Sequence, residues 1–403
     1  MNKTKKPLIP RLRFPEFKNA GEWEEKRLGE AVDIKKGEPI TEKNAEYGDI
    51  PVIGGGIEPT YYHNIFNRKA NTITISASGA NAGFVNFHTY PIFASDCSTI
   101  EENMNGELDI KYIYYYLKSI QSYINMLQTG GAQPHVYPKQ LRKIKIFVPS
   151  ILEEQQKIAD FLSSLDEIIT LENKKLEALK KYKKGLMQQL FPQDDEKIPR
   201  LRFPEFKNAG EWEVRAIEQL TTKIAQGGTP KTSIPEYWNG GIPWITPADM
   251  GDDALHHYTE TTLRSVSQKG LENSSTELLP ANSVIVSSRA PIGYVTINKV
   301  EMATNQGCKG IVTKISTYYE FLYFSLLKAK ERLNNVGAGS SFKEISTSTL
   351  KVFRISVPSF PEQQKIADFL SSLDEIITLE NKKLEVLKKY KKGLMQQLFP
   401  EVE

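Results

Sequence analysis

The chain has 403 residues, of which 39% are hydrophobic and 25% charged, as is typical of a globular protein with two to four domains. Its formal net charge of only +3 excludes a uniformly basic surface, so a nucleic-acid partner would have to bind local basic patches. No apolar run approaches the ~20 residues that a membrane span needs, and the two cysteines, Cys97 and Cys308, lie far apart, so the sequence predicts a cytoplasmic protein without membrane segments.

Two segments of the chain occur twice. The leader IPRLRFPEFKNAGEWE occupies residues 9–24 and again 198–213 without a substitution. A longer segment, residues 154–192, returns as residues 362–400 with one change, from Ala178 to Val386. We assign a leader to 1–24, a first variable domain to 25–150, a conserved block to 151–192, a linker with the repeated leader to 193–213, a second variable domain to 214–358 and a second conserved block to 359–403.

The two variable segments have the pattern of one domain in two versions. GDIPVI (48–53) matches GGIPWI (240–245), and SGANAGFV (78–85) matches SRAPIGYV (288–295). The β-branched residues that precede the second motif predict a strand, a glycine-containing turn and a further strand. Residues 110–127 and 320–333 have the apolar spacing of helices. The predicted fold class is therefore α+β, with two mixed α/β domains.

The conserved blocks predict two long helices. Ser150 with Glu153, and Ser359 with Glu362, have the spacing of a capping box. Apolar residues then follow the 4-3 spacing of a coiled coil, which Glu172 and Lys183 interrupt. Two such helices in one chain predict an antiparallel coiled coil that joins the domains in a pseudo-two-fold internal repeat. The predicted packing residues are Leu162, Leu165, Ile169, Leu176, Leu179, Leu370, Leu373, Ile377, Leu384 and Leu387.

The repeated helices fit two interpretations. In the first, they form only a stabilising bundle. In the second, the same partner docks twice, because exposed-type residues such as Lys174 and Lys180 recur together with the apolar stripe. A recent duplication would produce the same identity.

No catalytic motif is present in the sequence. It contains neither a phosphate-binding G-x-x-x-x-G-K-[ST] loop nor a G-x-G-x-x-G after a predicted strand. It also has no Pro-Pro pair, which the amino-methyltransferase tetrapeptide requires. The adjacent histidines His256 and His257 have no His or Cys partner at a metal-binding spacing. We therefore expect neither catalysis nor a metal site.

Polar, glycine-containing loops with Lys or Arg recur in both variable domains. Glycine allows close approach to a phosphate, Lys and Arg neutralise it, and Asn, Gln, Arg and His can hydrogen-bond to base edges. Each loop alone also fits an ordinary turn, but their recurrence in a duplicated domain favours DNA binding. The loops are residues 54–69, 129–139, 225–232, 287–293 and 337–343.

Over essentially its whole length, the chain resembles the specificity (S) subunit of a type I restriction–modification system. The motifs are RFPEF…EW before each variable domain, G-x-I-P-x-I and S-x-x-x-x-G-[FY]-V within it, and EQQKIADFLSSLDEII…KKGLMQQLF after it. The resemblance implies two target-recognition domains, each reading one half of a bipartite, asymmetric site in double-stranded DNA. It implies a non-catalytic chain on which two modification subunits dock. S-adenosylmethionine would bind to those subunits, and ATP and Mg to the restriction subunits of the full complex.

The resemblance also indicates which loop residues contact DNA. The expected contacts in the second domain are Gly228, Thr229, Lys231, Ser288, Arg289, Ser341 and Lys343. Those in the first domain are Tyr62, Ser78, Asn81, Gln133, His135 and Lys139, where SGANAG lacks the basic residue of SSRAPIG. Two other functions stay open. A single-chain methyltransferase or nuclease would modify or cut DNA alone, and a protein-binding scaffold would show no salt-dependent DNA affinity.

Overall fold

The computed structural model describes residues 8–101, 107–193, 196–251, 254–337 and 344–400. The chain forms two compact units. Unit 1 comprises Met1–Leu171 and Leu384–Glu403, and unit 2 comprises Glu172–Lys383. None of the helices in these described ranges is long and apolar enough to cross a membrane.

The helices include two of 39 residues, one in each conserved block. They are α1 (Leu28–Ala31), α2 (Ile110–Ser119), α3 (Gln121–Met126), α4 (Pro138–Leu141), α5 (Leu152–Leu190), α6 (Ile217–Leu220), α7 (Gln268–Glu272), α8 (Tyr319–Lys328), α9 (Lys330–Gly337), α10 (Thr347–Val352) and α11 (Phe360–Leu398). The single helices predicted over 110–127 and 320–333 are each divided in two. The divisions fall at Ile120 and Ala329, whose ψ angles of 21° and 7° interrupt the helical backbone.

Unit 1 contains a four-stranded antiparallel sheet, a three-stranded mixed sheet and a two-stranded ribbon. Its strands are β1 (Glu24–Arg27), β2 (Ile34–Lys36), β3 (Ile50–Ile53), β4 (Tyr61–His63), β5 (Thr72–Ser76), β6 (Val85–His88), β7 (Phe93–Ala94), β8 (Cys97–Ile100) and β9 (Lys145–Val148). The four-stranded sheet has the order β2-β8-β5-β6, and the three-stranded sheet the order β4-β3-β7. Helix α2 packs on β5 and β6 and contributes Tyr112, Ile113 and Tyr116 to the core.

Unit 2 has the same arrangement, with one more strand in each of its two main sheets. Its strands are β10 (Glu213–Ala216), β11 (Thr221–Gln226), β12 (Trp238–Ile245), β13 (Tyr258–Thr259), β14 (Ser265–Val266), β15 (Leu278–Leu279), β16 (Val284–Ser287), β17 (Val295–Asn298), β18 (Met302–Thr304), β19 (Cys308–Thr313) and β20 (Arg354–Val357). The sheets have the orders β11-β19-β16-β17-β13 and β14-β12-β18-β15. The predicted strand–turn–strand units are β5–β6 and β16–β17, which confirms that part of the α+β prediction.

An antiparallel ribbon joins the two ends of each variable segment. In unit 1, β1 pairs with β9, with Glu24 opposite Val148. In unit 2, β10 pairs with β20, with Glu213 opposite Val357. The chain therefore enters and leaves each variable segment at neighbouring points.

The long helices α5 and α11 pack antiparallel within each unit. In unit 1, Asp166 of α5 pairs with Lys391 of α11. In unit 2, Lys175 pairs with Glu380 and Lys183 with Asp374. Later residues of α5 therefore pair with earlier residues of α11, as antiparallel helices require. The residues that interrupt the apolar spacing make ion pairs across the seam, because Lys183 binds Asp374 and Glu172 binds Lys383.

The predicted packing residues lie at or beside this seam. Leu162 and Leu165 belong to the core of unit 1, and Leu370 and Leu373 belong to the core of unit 2. Of the others, Leu176, Ile377 and Leu384 are buried and Ile169, Leu179 and Leu387 are half-buried.

A buried ion pair holds each repeated leader against the start of a long helix. The Arg13 guanidinium donates to both carboxylate oxygens of Glu154 at 2.7 Å, and Arg202 does the same with Glu362. In both pairs the arginine side chain is 7% exposed and the glutamate 1%. The capping-box pattern predicted that the Glu362 carboxylate would bind backbone N–H groups at the start of α11, but it accepts the hydrogen bonds from Arg202. These hydrogen bonds raise the pKa of Arg202.

We predict that Arg202→Ala strongly destabilises unit 2. The substitution leaves the Glu362 carboxylate buried without its cation, a change that costs about 3–5 kcal/mol in comparable pairs. Urea unfolding of the full chain, followed by tryptophan fluorescence, measures the effect. The control is Arg200→Ala, whose ion pair with Glu196 is exposed and is expected to contribute little. Equal effects of the two substitutions would show that the buried pair does not hold the leader in place.

Candidate nucleic-acid interface

Two loops of unit 2 that contain predicted DNA contacts, 225–232 and 287–293, meet a third loop around residues 304–308. The backbone N–H of Gly228, after β11, donates to the carbonyl of Thr304 at 2.9 Å. The N–H of Ser288, after β16, donates to the carbonyl of Gly307 at 2.7 Å. The Ser288 carbonyl in turn accepts from Ile345 at 2.9 Å. Three loops and the start of the 344–347 segment therefore form one surface, which we call the unit 2 hub.

Charged and polar side chains of the unit 2 hub bind one another. Arg289 Nε donates to Glu344 Oε2 at 2.9 Å, and Lys309 Nζ lies 3.7 Å from Glu344 Oε1. Burial lowers the pKa of Lys309, whose side chain is 1% exposed, whereas Arg289 is half exposed. The Thr229 hydroxyl donates to the amide oxygen of Gln306. The hub thus presents a guanidinium, a carboxylate, a hydroxyl and an amide, which are the groups that hydrogen-bond to base edges.

Two predicted contacts of unit 2 lie behind this surface. Ser288 is fully buried, and its hydroxyl has no hydrogen-bond partner in the described part of the chain. Gly228 is buried too, and a Cβ there would lie 2.4 Å from Ser275 Oγ. A glycine is therefore needed at position 228 for close packing within the protein. The sequence had instead suggested that this glycine allows close approach to a phosphate.

Of the remaining predicted contacts of unit 2, Lys231 lies in the described part of the chain, and two others do not. Lys231 is exposed, and its carbonyl accepts from Trp238 Nε1 at 3.3 Å. Ser341 and Lys343 lie outside the described residues. Among the described residues, no group of three or more His, Cys, Asp or Glu side chains could hold a metal ion.

Unit 1 has the same backbone arrangement with different side chains. The Ala77 N–H donates to the carbonyl of Asp96 at 3.0 Å, and the Ala77 carbonyl accepts from Val136 at 2.9 Å. By these bonds Ala77 corresponds to Ser288 and Val136 to Ile345. Ser78 and His135 form an isolated β-bridge in unit 1, as Arg289 and Glu344 do in unit 2. Ser78 is therefore the counterpart of Arg289, although the sequence comparison aligned it with Ser288.

The corresponding surface of unit 1, which we call the unit 1 hub, has Ser78, Asp96 and His135 where the unit 2 hub has Arg289, Lys309 and Glu344. The Ser78 hydroxyl donates to the Asp96 carboxylate, and the His135 ring stacks on Tyr137 with centroids 5.8 Å apart. Gln133 is exposed within the same loop as His135, and Asn81 is half-buried in the turn after β5. Lys139 is exposed in α4, and Tyr62 is exposed on β4, in the other sheet of the unit.

Sequence reasoning missed the residues that hold these hubs together. Asp96, Gln306, Lys309 and Glu344 were not among the predicted contacts. A signal was nevertheless present, because Cys97 and Cys308 occupy equivalent positions opposite Ser76 and Ser287. Aligning the two segments on these cysteines places Asp96 of unit 1 and Gln306 of unit 2 in equivalent loops, one and two residues before the cysteine. Arg264 was also missed; it is exposed, with its guanidinium 3.6 Å from the centroid of the Trp238 ring.

Comparison with known protein families gives matches in both halves of the chain. The family described as "Type I restriction modification DNA specificity domain" matches residues 20–181 and 209–389. The type I restriction enzyme MjaVIII specificity subunit of Methanocaldococcus jannaschii is 27% identical over 96% of this chain and 93% of its own length. The putative MjaX specificity subunit of the same organism is 30% identical over 73% of this chain and 68% of its own length. The MjaIX specificity subunit is 39% identical over 48% of this chain, which spans 45% of that relative's length.

Solved structures show the same fold. The S subunit of a type I restriction–modification system from Mycoplasma genitalium has a TM-score of 0.70 at 19% identity, covering 98% of this chain and 100% of that one. A chain from a study of complex assembly and conformational transition in the type I R-M system has a TM-score of 0.56 at 16% identity, covering 94% of this chain and 97% of that one. At these identities the likeness concerns architecture, and it includes both units.

We predict that Arg289→Gln weakens DNA binding by about 1–3 kcal/mol and relaxes one base position if the guanidinium binds a guanine. Binding is measured with the full chain on oligonucleotides that vary each base in turn. Arg215→Gln is the matched control, because that side chain is also about half exposed and paired with a glutamate, on the ribbon of unit 2. A uniform loss across all sequences would indicate a phosphate contact. A loss no larger than that of the control would remove Arg289 from the interface.

Proposed function

Since the chain belongs to the family of type I restriction–modification DNA specificity proteins, we propose that it reads a bipartite, asymmetric DNA site, one half with each unit. It directs the methylation and restriction that partner subunits perform, and it has no catalytic role of its own. One observation carries the proposal. The two units build the same backbone hub and place different side chains on it: Ser78 and His135 in unit 1, Arg289 and Glu344 in unit 2.

This difference is what an asymmetric site requires. Arginine donates two hydrogen bonds to guanine, and a carboxylate accepts from the amino group of cytosine. Serine and histidine at the equivalent positions of unit 1 offer other donors and acceptors. Because the hub backbone is the same in both units, the reading surface keeps its position within each unit. The side chains on that backbone differ, so the two units can select different bases.

We further propose that two modification subunits dock on the long helices. Each unit exposes an equivalent set of apolar side chains on its long helices. In unit 1 it consists of Ile168 and Leu171 of α5 with Val386 and Tyr390 of α11. In unit 2 it consists of the counterparts Ile376 and Leu379 of α11 with Ala178 and Tyr182 of α5.

The spacing of these patches supports a helical partner. Residues 168, 171, 178 and 182 follow the 3-4 spacing of a second stripe, one position before residues 169, 172, 179 and 183 of the seam. In an antiparallel pair, the same flank of both helices lies on the same side of the seam. The stripes of α5 and α11 within a unit therefore adjoin, and exposed apolar patches of this kind mark interaction surfaces.

The cofactors belong to the partners in this proposal. S-adenosylmethionine binds to the modification subunits, and ATP and Mg to the restriction subunits that complete the complex. The proposed location is the cytoplasm, where the DNA substrate lies and where Cys97 and Cys308 would remain free thiols. Both thiols are buried, and burial raises the pKa of Cys97 to about 12.

We predict that adding this chain to cells that contain only the modification partner creates a new methylation motif. Single-molecule sequencing of the genome, with and without the chain, measures it. The expected motif is split, with one methylated adenine in each half on opposite strands. Identical maps in cells that make the intact chain would contradict the proposal and would favour the protein-binding scaffold. Methylation by the chain without its partner would favour the single-chain enzyme.

A further inference from the structure

An arginine of unit 2 lies on a pair of tryptophans beside the hub. The Arg264 guanidinium carbon is 3.6 Å from the centroid of the Trp238 ring and 5.6 Å from that of the Trp244 ring, so the cation lies over the face of Trp238. The two indole rings are nearly perpendicular, with centroids 5.0 Å apart, and both are buried. Arg264 itself is exposed. The tryptophans therefore support a cation at the surface of the protein.

The hydrogen-bonding groups of Arg264 are not used within the protein. In the described part of the chain, none of its guanidinium N–H groups donates to an acceptor, and no carboxylate lies within ion-pair distance. The Asp249 carboxylate accepts instead from the N–H of the preceding residue, Leu263, at 2.7 Å and from the Thr246 hydroxyl at 2.8 Å. A guanidinium has five N–H donors in one plane, and here they are available to a ligand.

The backbone holds Arg264 next to the unit 2 hub. The Arg264 carbonyl accepts from the Trp244 N–H at 3.1 Å, which joins this residue to β12. The indole Nε1 of Trp244 donates to the carbonyl of Gly228, in the hub, at 3.0 Å. The indole Nε1 of Trp238 donates to the carbonyl of Lys231, in the same loop, at 3.3 Å. The tryptophans that support the guanidinium therefore also hold one of the loops of the hub.

Unit 1 has different side chains at the equivalent positions. The strand pairs β3–β4 and β12–β14 have matching registers, which place Tyr61 at the position of Arg264 and Val52 at that of Trp244. The Tyr61 hydroxyl donates to the Ile40 carbonyl at 2.7 Å. Unit 1 thus has a donor that is already bonded within the protein where unit 2 has a cation with free donors. The two units differ at this position as they differ on their hubs.

We propose that Arg264 is a specificity-determining residue of unit 2, whose guanidinium donates to the N7 and O6 atoms of a guanine in the half-site that this unit reads. The inference rests on the DNA-reading function proposed above. Arginine on the edge of guanine is the commonest base-specific contact, and support from the Trp238 ring reduces the side-chain freedom that binding would remove. A backbone phosphate is the alternative ligand, but the difference between the units at this position favours a base.

The test uses the full chain in complex with its modification subunits. Binding is measured at one salt concentration on oligonucleotides in which each base pair of the methylated motif is varied in turn. Arg264→Gln removes the planar set of donors and is expected to reduce the discrimination at one guanine of the unit 2 half-site by about 5- to 150-fold. Discrimination in the half-site of unit 1 should stay at its parental value.

Arg264→Lys separates a base contact from a phosphate contact. It keeps the positive charge and the contact with the Trp238 ring, but it replaces the planar fork of donors with a compact ammonium group. A guanine contact therefore leaves the discrimination of Arg264→Lys at that base pair below the parental value. A loss of affinity that is the same for all oligonucleotides would overturn the proposal. Its recovery in Arg264→Lys would identify a phosphate contact, and a lower urea midpoint of Arg264→Gln would identify a structural cover of the tryptophans.

The matched control is Lys299→Gln. Lys299 is also an exposed cation on an aromatic ring of unit 2, with Nζ 4.6 Å from the centroid of the Tyr258 ring. It follows β17, at the end of that strand remote from the 287–293 loop. This variant should discriminate among the oligonucleotides as the parental complex does.

Equal effects of the two glutamine variants, or unchanged discrimination by Arg264→Gln, would overturn the inference about Arg264 alone. A parental complex that does not distinguish the oligonucleotides would instead show that the DNA-reading function fails, and the inference would fail with it.

Discussion

The buried ion pair between a leader arginine and a helix glutamate is the contact on which the rest of each unit depends. Arg13 binds Glu154 at the start of α5, and Arg202 binds Glu362 at the start of α11. Each leader also pairs with the end of the other helix, because the N–H of Leu12 donates to the Gln397 carbonyl and that of Leu201 to the Gln189 carbonyl. Each leader thus contacts the start of one long helix and the end of the other. Both contacts can form only if the two helices are antiparallel. This explains why the leader and the helices are repeated together.

The ribbons separate this frame from the residues that we propose read DNA. Because β1 pairs with β9 and β10 with β20, each variable segment begins and ends at adjacent points of the frame. Its interior can then change without moving the helices. Within that interior the backbone of the hub is retained, and the side chains on it differ.

The sequence predicted the parts of the fold that depend on local pattern. The 4-3 spacing predicted both long helices and their antiparallel packing, and the duplicated motifs predicted two related α/β units. It could not predict the break at Ile120, which depends on local backbone geometry within one apolar stretch. Glu172 and Lys183 looked like defects in the stripe because their partners, Lys383 and Asp374, are some 200 residues away. Ser288 and Gly228 looked like surface residues because loop composition does not indicate which side of a loop faces the core. The pairing of Arg289 with Glu344 likewise joins segments 55 residues apart, and no spacing rule connects them.

The central claim is that an unvarying frame holds two interchangeable readers. The most direct measurement is the methylation map of a chain in which residues 25–148 are replaced by a second copy of residues 214–357, the segments that end at equivalent points of the two ribbons. With two identical readers on antiparallel helices, both halves of the motif should become the half-site of unit 2, in inverted orientation. Persistence of the original first half-site, in cells that make the altered chain, would contradict the account.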